Sequence, residues 1–171
     1  MVLNINDTII YGTDGVCKVI GRTQKEFCGQ IREYYVLKPA RNKNSTIYIL
    51  VQSEKTAAKI RHVLSSKEIY ELINSMTNEI PIWISDDAKR KEKYRQILAT
   101  GDRLQLIRLI KTLHLYGQER KNEGKKLHSA DERFMKEAEK MLYEEFSHVL
   151  GIHQDQVLPF ILEQMEIKEK K

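Results

Sequence analysis

The chain has 171 residues, of which 41% are hydrophobic and 31% charged, and its net charge is +5. This length allows one ordinary domain or two small ones, and the composition is that of a globular protein with a large polar surface. No stretch approaches the ~20 consecutive apolar residues of a membrane span, and the N-terminus lacks the pattern of a signal peptide, so we expect a cytoplasmic protein. Two cysteines, Cys17 and Cys28, are too few for a disulfide framework or a structural zinc site.

The first sixty residues predict β-structure. Four short segments are rich in β-branched or aromatic residues, and turn formers separate them. They are TIIY from Thr8, GVCKVIGR from Gly15, IREYYVLK from Ile31 and STIYIL from Ser45. Four or five such strands are enough for a small barrel, so we expect a β-domain over residues 1–60.

Beyond Lys55 the apolar spacing becomes helical, which predicts an all-α domain over residues 64–171. We expect a first helix over Lys67–Ser75, a non-helical connector TNEIPIWIS, and a second helix that Ser85 caps and Gly101 ends. A third, largely apolar helix begins at Asp102. The fold class is therefore α+β, a small β-barrel followed by a helical domain.

Two further helices are predicted in the last third of the chain. Ser129 and Glu132 have the spacing of a capping box, in which each side chain satisfies the other residue's backbone N–H. The last helix lies near Gln156–Ile167, and Pro159 fits it only in the first turn, where a missing N–H costs little.

The positive charge is local. Residues 1–65 carry a net charge of +5, residues 66–124 one of +2, and residues 125–171 one of −2. The densest run is KRKEKYR, Lys89–Arg95, with five cations and one anion. Such a run suits a polyanion such as a nucleic-acid backbone, although a solvated helix face is the commoner explanation.

The sequence offers little for catalysis. It has no glycine-rich phosphate loop, and its five histidines lack the spacing of a metal site. Cys17 lies among hydrophobic neighbours, where a buried, unreactive thiol is expected. We therefore expect no enzymatic activity, no cofactor and no small-molecule substrate.

Two aromatic residues are candidates for binding. Trp83 lies in the connector beside the basic helix, where it could fill a seam between the domains or insert as an apolar wedge at a base step. Phe27 follows Lys25 and Glu26 at the end of a predicted hairpin, where it could meet a partner's sheet or fold back onto the barrel.

Four segments, in order, resemble the CarD/CdnL-type family of bacterial transcriptional regulators. They are NDTIIYGTDGVCKVIG, REYYVLKP with TIYILV, YRQILATGDRLQLIRLIKTL, and GKKLHSADERFMKEAEKMLYEEFSHVLG. The resemblance runs over nearly the whole chain. It implies a Tudor-like barrel that binds the β subunit of RNA polymerase, and a helical domain that contacts promoter DNA at the upstream edge of the transcription bubble.

The resemblance also implies site residues. The polymerase-contacting positions correspond to Lys25, Glu26, Phe27, Tyr48 and Ile49, and the DNA-contacting positions to Trp83, Lys89, Arg90, Lys91, Lys93 and Arg95. The cations are expected to meet phosphates without reading sequence. The alternative is a polymerase-docking adaptor whose helical domain binds another protein, which the net charge of −2 over residues 125–171 would suit.

Overall fold

The computed structural model describes residues 2–76 and 78–169, with side chains described to residue 164. The chain forms two compact units that divide between Val63 and Leu64, here called the β unit and the helical unit. Among the described helices, none is long and apolar enough to cross a membrane.

The β unit is one antiparallel sheet of five strands in the order β4-β3-β2-β1-β5. Its strands are β1 Thr8–Tyr11, β2 Gly15–Phe27, β3 Gln30–Pro39, β4 Ile47–Leu50 and β5 Ile60–His62. A four-residue helix, α1 Glu54–Ala57, lies between β4 and β5. The four predicted strands are confirmed, and β2 continues five residues beyond the predicted Arg22.

Alternate side chains of the central strands build the core of the β unit. The core residues are Leu3, Ile9, Cys17, Val19, Tyr35, Leu37 and Ile49. Cys17 is fully buried, as expected of an unreactive thiol. The far ends of β2 and β3, by contrast, extend beyond the core, and all residues from Gln24 to Glu33 are exposed.

The helical unit contains α2 Ser66–Met76, α3 Asp87–Thr100, α4 Arg103–Asn122, α5 Ser129–Leu150 and α6 Gln154–Glu169. This architecture, an antiparallel sheet followed by helices, confirms the predicted fold class. Two apolar clusters hold the helices together, one centred on Phe146 of α5 and one on Leu113 of α4.

Several helix ends differ from the prediction. The cap of α3 is Asp86, not Ser85, because the Asp86 carboxylate accepts the Lys89 N–H at 3.0 Å. The predicted capping box of α5 is wrong, because the helix already includes Ser129 and the preceding His128 makes no side-chain cap.

Helix α6 begins two residues before the predicted start, so Pro159 is its sixth residue and lies inside the helix. The Gln156 side chain accepts the His153 N–H at 3.0 Å and so stabilises the earlier start. The buried Val157 and Ile161, four residues apart, keep α6 packed on the core through the proline.

Candidate functional site

The end of the β2–β3 hairpin is an exposed, twisted ribbon closed by a two-residue turn. Both turn residues, Cys28 and Gly29, have positive φ angles of 52° and 74°, as a type I′ turn requires. The turn fixes the pairing of Phe27 with Gln30 and of Lys25 with Arg32. The sequence places Phe27 at the ribbon's tip, where it is 66% exposed.

The register divides the predicted polymerase-contacting residues between two faces of the sheet. Lys25 and Phe27 share one face, because successive side chains alternate. Tyr48 lies on the same face, and the Lys25 ammonium is 3.2 Å from the centroid of its ring. We call these three residues, Lys25, Phe27 and Tyr48, the hairpin surface.

Two of the predicted residues do not join the hairpin surface. Glu26 points to the opposite face of the ribbon, where Ile31 is its cross-strand partner. Ile49 is only 2% exposed because it belongs to the core, so its side chain cannot meet a partner; this corrects the prediction.

Two further residues of the ribbon, Arg32 and Ile31, are exposed but were not among the predicted contact residues. Arg32 lies opposite Lys25, and Ile31 is 72% exposed. The Cys28–Gly29 turn could have predicted their positions, because a two-residue turn sets which residues of β2 and β3 face each other.

Strand β4 forms one edge of the sheet. Within the described part of the chain it pairs with β3 alone, so one side of its backbone is open. An open edge can add a partner's strand. Tyr48 of the hairpin surface lies in this strand, and so the side chains and the open backbone are adjacent.

In the helical unit, burial corrects the assignment of Arg90 as a phosphate contact. Arg90 is 3% exposed, and its guanidinium donates to both carboxylate oxygens of the fully buried Asp131 at 3.1 and 3.2 Å. It also donates to the Asp87 carboxylate at 2.6 Å. Burial lowers the pKa of Arg90, but the hydrogen bond and charge of Asp131 outweigh that and raise it above its ordinary value. Arg90 is therefore a charged structural residue.

The other predicted cations of α3 are accessible to different degrees. Lys91 pairs with Asp87 at 2.6 Å, and this hydrogen bond lowers the pKa of the Asp87 carboxyl. Arg95 pairs with Glu92 at 3.1 Å. Lys89 and Lys93 are exposed and make no ion pair within the described residues, so they are the cations most open to a phosphate.

Trp83 is half-buried and packs within the helical unit. Its ring stacks on Tyr116 of α4, with centroids 3.6 Å apart, and the Arg90 guanidinium lies 4.6 Å from its centroid. Hydrogen bonds of the two neighbouring residues hold it in place: the Ile82 N–H donates to the Thr112 hydroxyl at 3.0 Å, and the Ile84 carbonyl accepts from the Arg90 guanidinium at 3.1 Å. Tyr116 and the Arg90 guanidinium therefore both engage the ring, and a base could use only the surface that they leave free.

Over residues 2–76 and 78–169, no group of three or more His, Cys, Asp or Glu side chains could hold a metal ion. Burial raises the pKa of Tyr94 to about 12, but this hydroxyl lies inside the apolar cluster of α3 and α4.

Comparison with known families agrees with the architecture of the β unit. Residues 3–64 match the CarD-like/TRCF RID domain. The match covers somewhat more than a third of the chain and ends beside the boundary between the two units. No curated protein matches the chain.

Proposed function

We propose that the chain regulates transcription by binding the β subunit of RNA polymerase, because its β unit matches the CarD-like/TRCF RID domain. In this proposal the hairpin surface and the β4 edge bind the β subunit. The helical unit contacts promoter DNA near the upstream edge of the transcription bubble and changes the stability of the open complex.

The observation that carries the docking proposal is the convergence of Lys25, Phe27 and Tyr48 beside an open strand edge. Aromatic residues are typical of interface centres, and backbone pairing along an edge adds affinity without demanding a particular partner sequence. A large aromatic that is 66% exposed at a hairpin tip contributes little to the core, which favours a role in contact.

Docking would raise the local concentration of the helical unit at the promoter. Lys89 and Lys93 would then meet phosphates, and the free surface of Trp83 would lie against the partly unstacked junction. Unstacking a base step costs on the order of a few kcal/mol, so a contact that offsets part of this cost shifts the melted population severalfold.

Binding of purified RNA polymerase β subunit to the full chain tests the docking. We expect Lys25→Glu and Phe27→Ala each to weaken binding at least tenfold, because each removes an exposed group from the hairpin surface. Ile5→Ala is the matched control, since Ile5 is 60% exposed in the same unit. Wild-type affinity in both hairpin variants would remove this surface from the proposal.

The salt dependence of DNA binding tests the role of the helical unit. For B-DNA the slope of log K against log salt is about −0.9 per phosphate contact, so Lys89→Ala with Lys93→Ala should flatten it by about 1.8. The matched control replaces Lys121 and Lys140, exposed lysines of the same unit that likewise make no ion pair within the described residues. An unchanged slope in the first variant would favour the alternative, a helical unit that binds protein.

A further inference from the structure

An apolar groove opens on the helical unit, lined by residues of α2, α4, α5 and α6. Its volume is about 280 Å³. Its apolar lining consists of Met76, Ile107, Ile110, Leu142, Leu158, Ile161 and Leu162. On its rim, Leu158 and Leu162 are 45% and 52% exposed, so the groove presents apolar surface to solvent.

Two polar side chains at the groove, Lys111 and His114, have hydrogen-bond partners. The Lys111 ammonium donates to the carbonyls of Met76 and Glu79 at 3.2 and 2.7 Å. His114 is hydrogen-bonded to Gln118 at 3.0 Å. Burial, followed by the charge of Glu139, raises the pKa of Tyr143 to about 12, so this residue is a neutral phenol at physiological pH.

Glu139 also lines the groove. It is half-buried, and within the described residues its carboxyl makes no hydrogen bond or ion pair. Burial raises its pKa, while the charges of His114 and Lys136 partly oppose the rise. A carboxyl partly withdrawn from water loses some of its hydration, and a bound cation would compensate for that loss.

We propose that this groove binds a small amphipathic amine, with its apolar body among the leucine and isoleucine side chains and its ammonium against Glu139. The size fits, because a cavity of ~150 Å³ lined by such side chains holds benzene, and this groove is almost twice that volume. An apolar pocket with one well-placed polar group is the usual form of a small-molecule site. The proposal does not depend on the polymerase or DNA contacts.

Titration of the full chain with n-octylamine, below its micellar concentration, tests this site. We expect saturable binding of one molecule, at least tenfold tighter than that of n-octanoate, whose charge is opposite. Glu139→Gln should weaken octylamine binding at least tenfold and leave n-octanol unaffected. Glu163→Gln, an exposed carboxyl of α6 outside the groove lining, should leave octylamine binding unchanged.

Absence of saturable octylamine binding, or equal affinity for octanoate, would overturn the proposal. So would a Glu139→Gln variant that binds octylamine like the wild type. Leu158→Lys places a cation at the exposed rim and should compete with the ligand without disturbing the core. If the wild type proves dimeric and this variant monomeric, a second copy of the chain covers the groove and the proposal fails.

Discussion

Burial gives the cations of the Lys89–Arg95 run different roles. The run predicts a basic helix, and the structure confirms the helix. The sequence could not show that Arg90 points inward, because its partner Asp131 lies 41 residues further along the chain. The accessible charge of the run is consequently smaller than its composition suggests.

Replacing Arg90 tests this structural role. We expect Arg90→Ala to reduce the free energy of unfolding by about 3–5 kcal/mol, because it leaves the buried carboxylate of Asp131 without its partner. Urea unfolding followed by circular dichroism measures the change. Lys89→Ala, one residue away but exposed, should change stability by no more than about 0.5 kcal/mol. Equal effects of the two substitutions would show that Arg90 is not a structural residue.

Elements were easier to predict than their ends. Segments rich in β-branched or aromatic residues marked the four longer strands, and helical spacing of apolar residues marked α2 to α6, because both signals extend over a whole segment. The three-residue β5 is too short to carry such a pattern. The α3 cap shifted by one residue because Ser85 and Asp86 are both good caps, and local geometry chooses between them.

The two neighbouring caps allow a direct comparison. Asp86→Ala should lower the free energy of unfolding by about 1 kcal/mol, because the Lys89 N–H loses its acceptor. Ser85→Ala should have little effect, since Ser85 does not cap α3. Thermal and urea unfolding of the two variants would measure the difference. A larger loss from Ser85→Ala would place the cap where the sequence had predicted it.

For the whole molecule, the apolar residues change from strand-like segments to helical spacing near residue 60, and this change made the α+β fold class predictable. The candidate surfaces were only partly predictable. The family resemblance implied Lys25, Phe27 and Tyr48 as contact residues. That Glu26 and Ile49 lie on the other face of the sheet depends on strand register, which the resemblance did not give. The stacking of Trp83 on Tyr116 depends on tertiary packing, which no local pattern encodes.

The lifetime of an open promoter complex, formed by bacterial RNA polymerase with the full chain, tests most directly whether the two units act together. We predict that the wild-type chain lengthens this lifetime. Phe27→Ala in one unit, and Lys89→Ala with Lys93→Ala in the other, should each return it toward the value for polymerase alone. A lifetime that both variants extend as fully as the wild type would contradict the account.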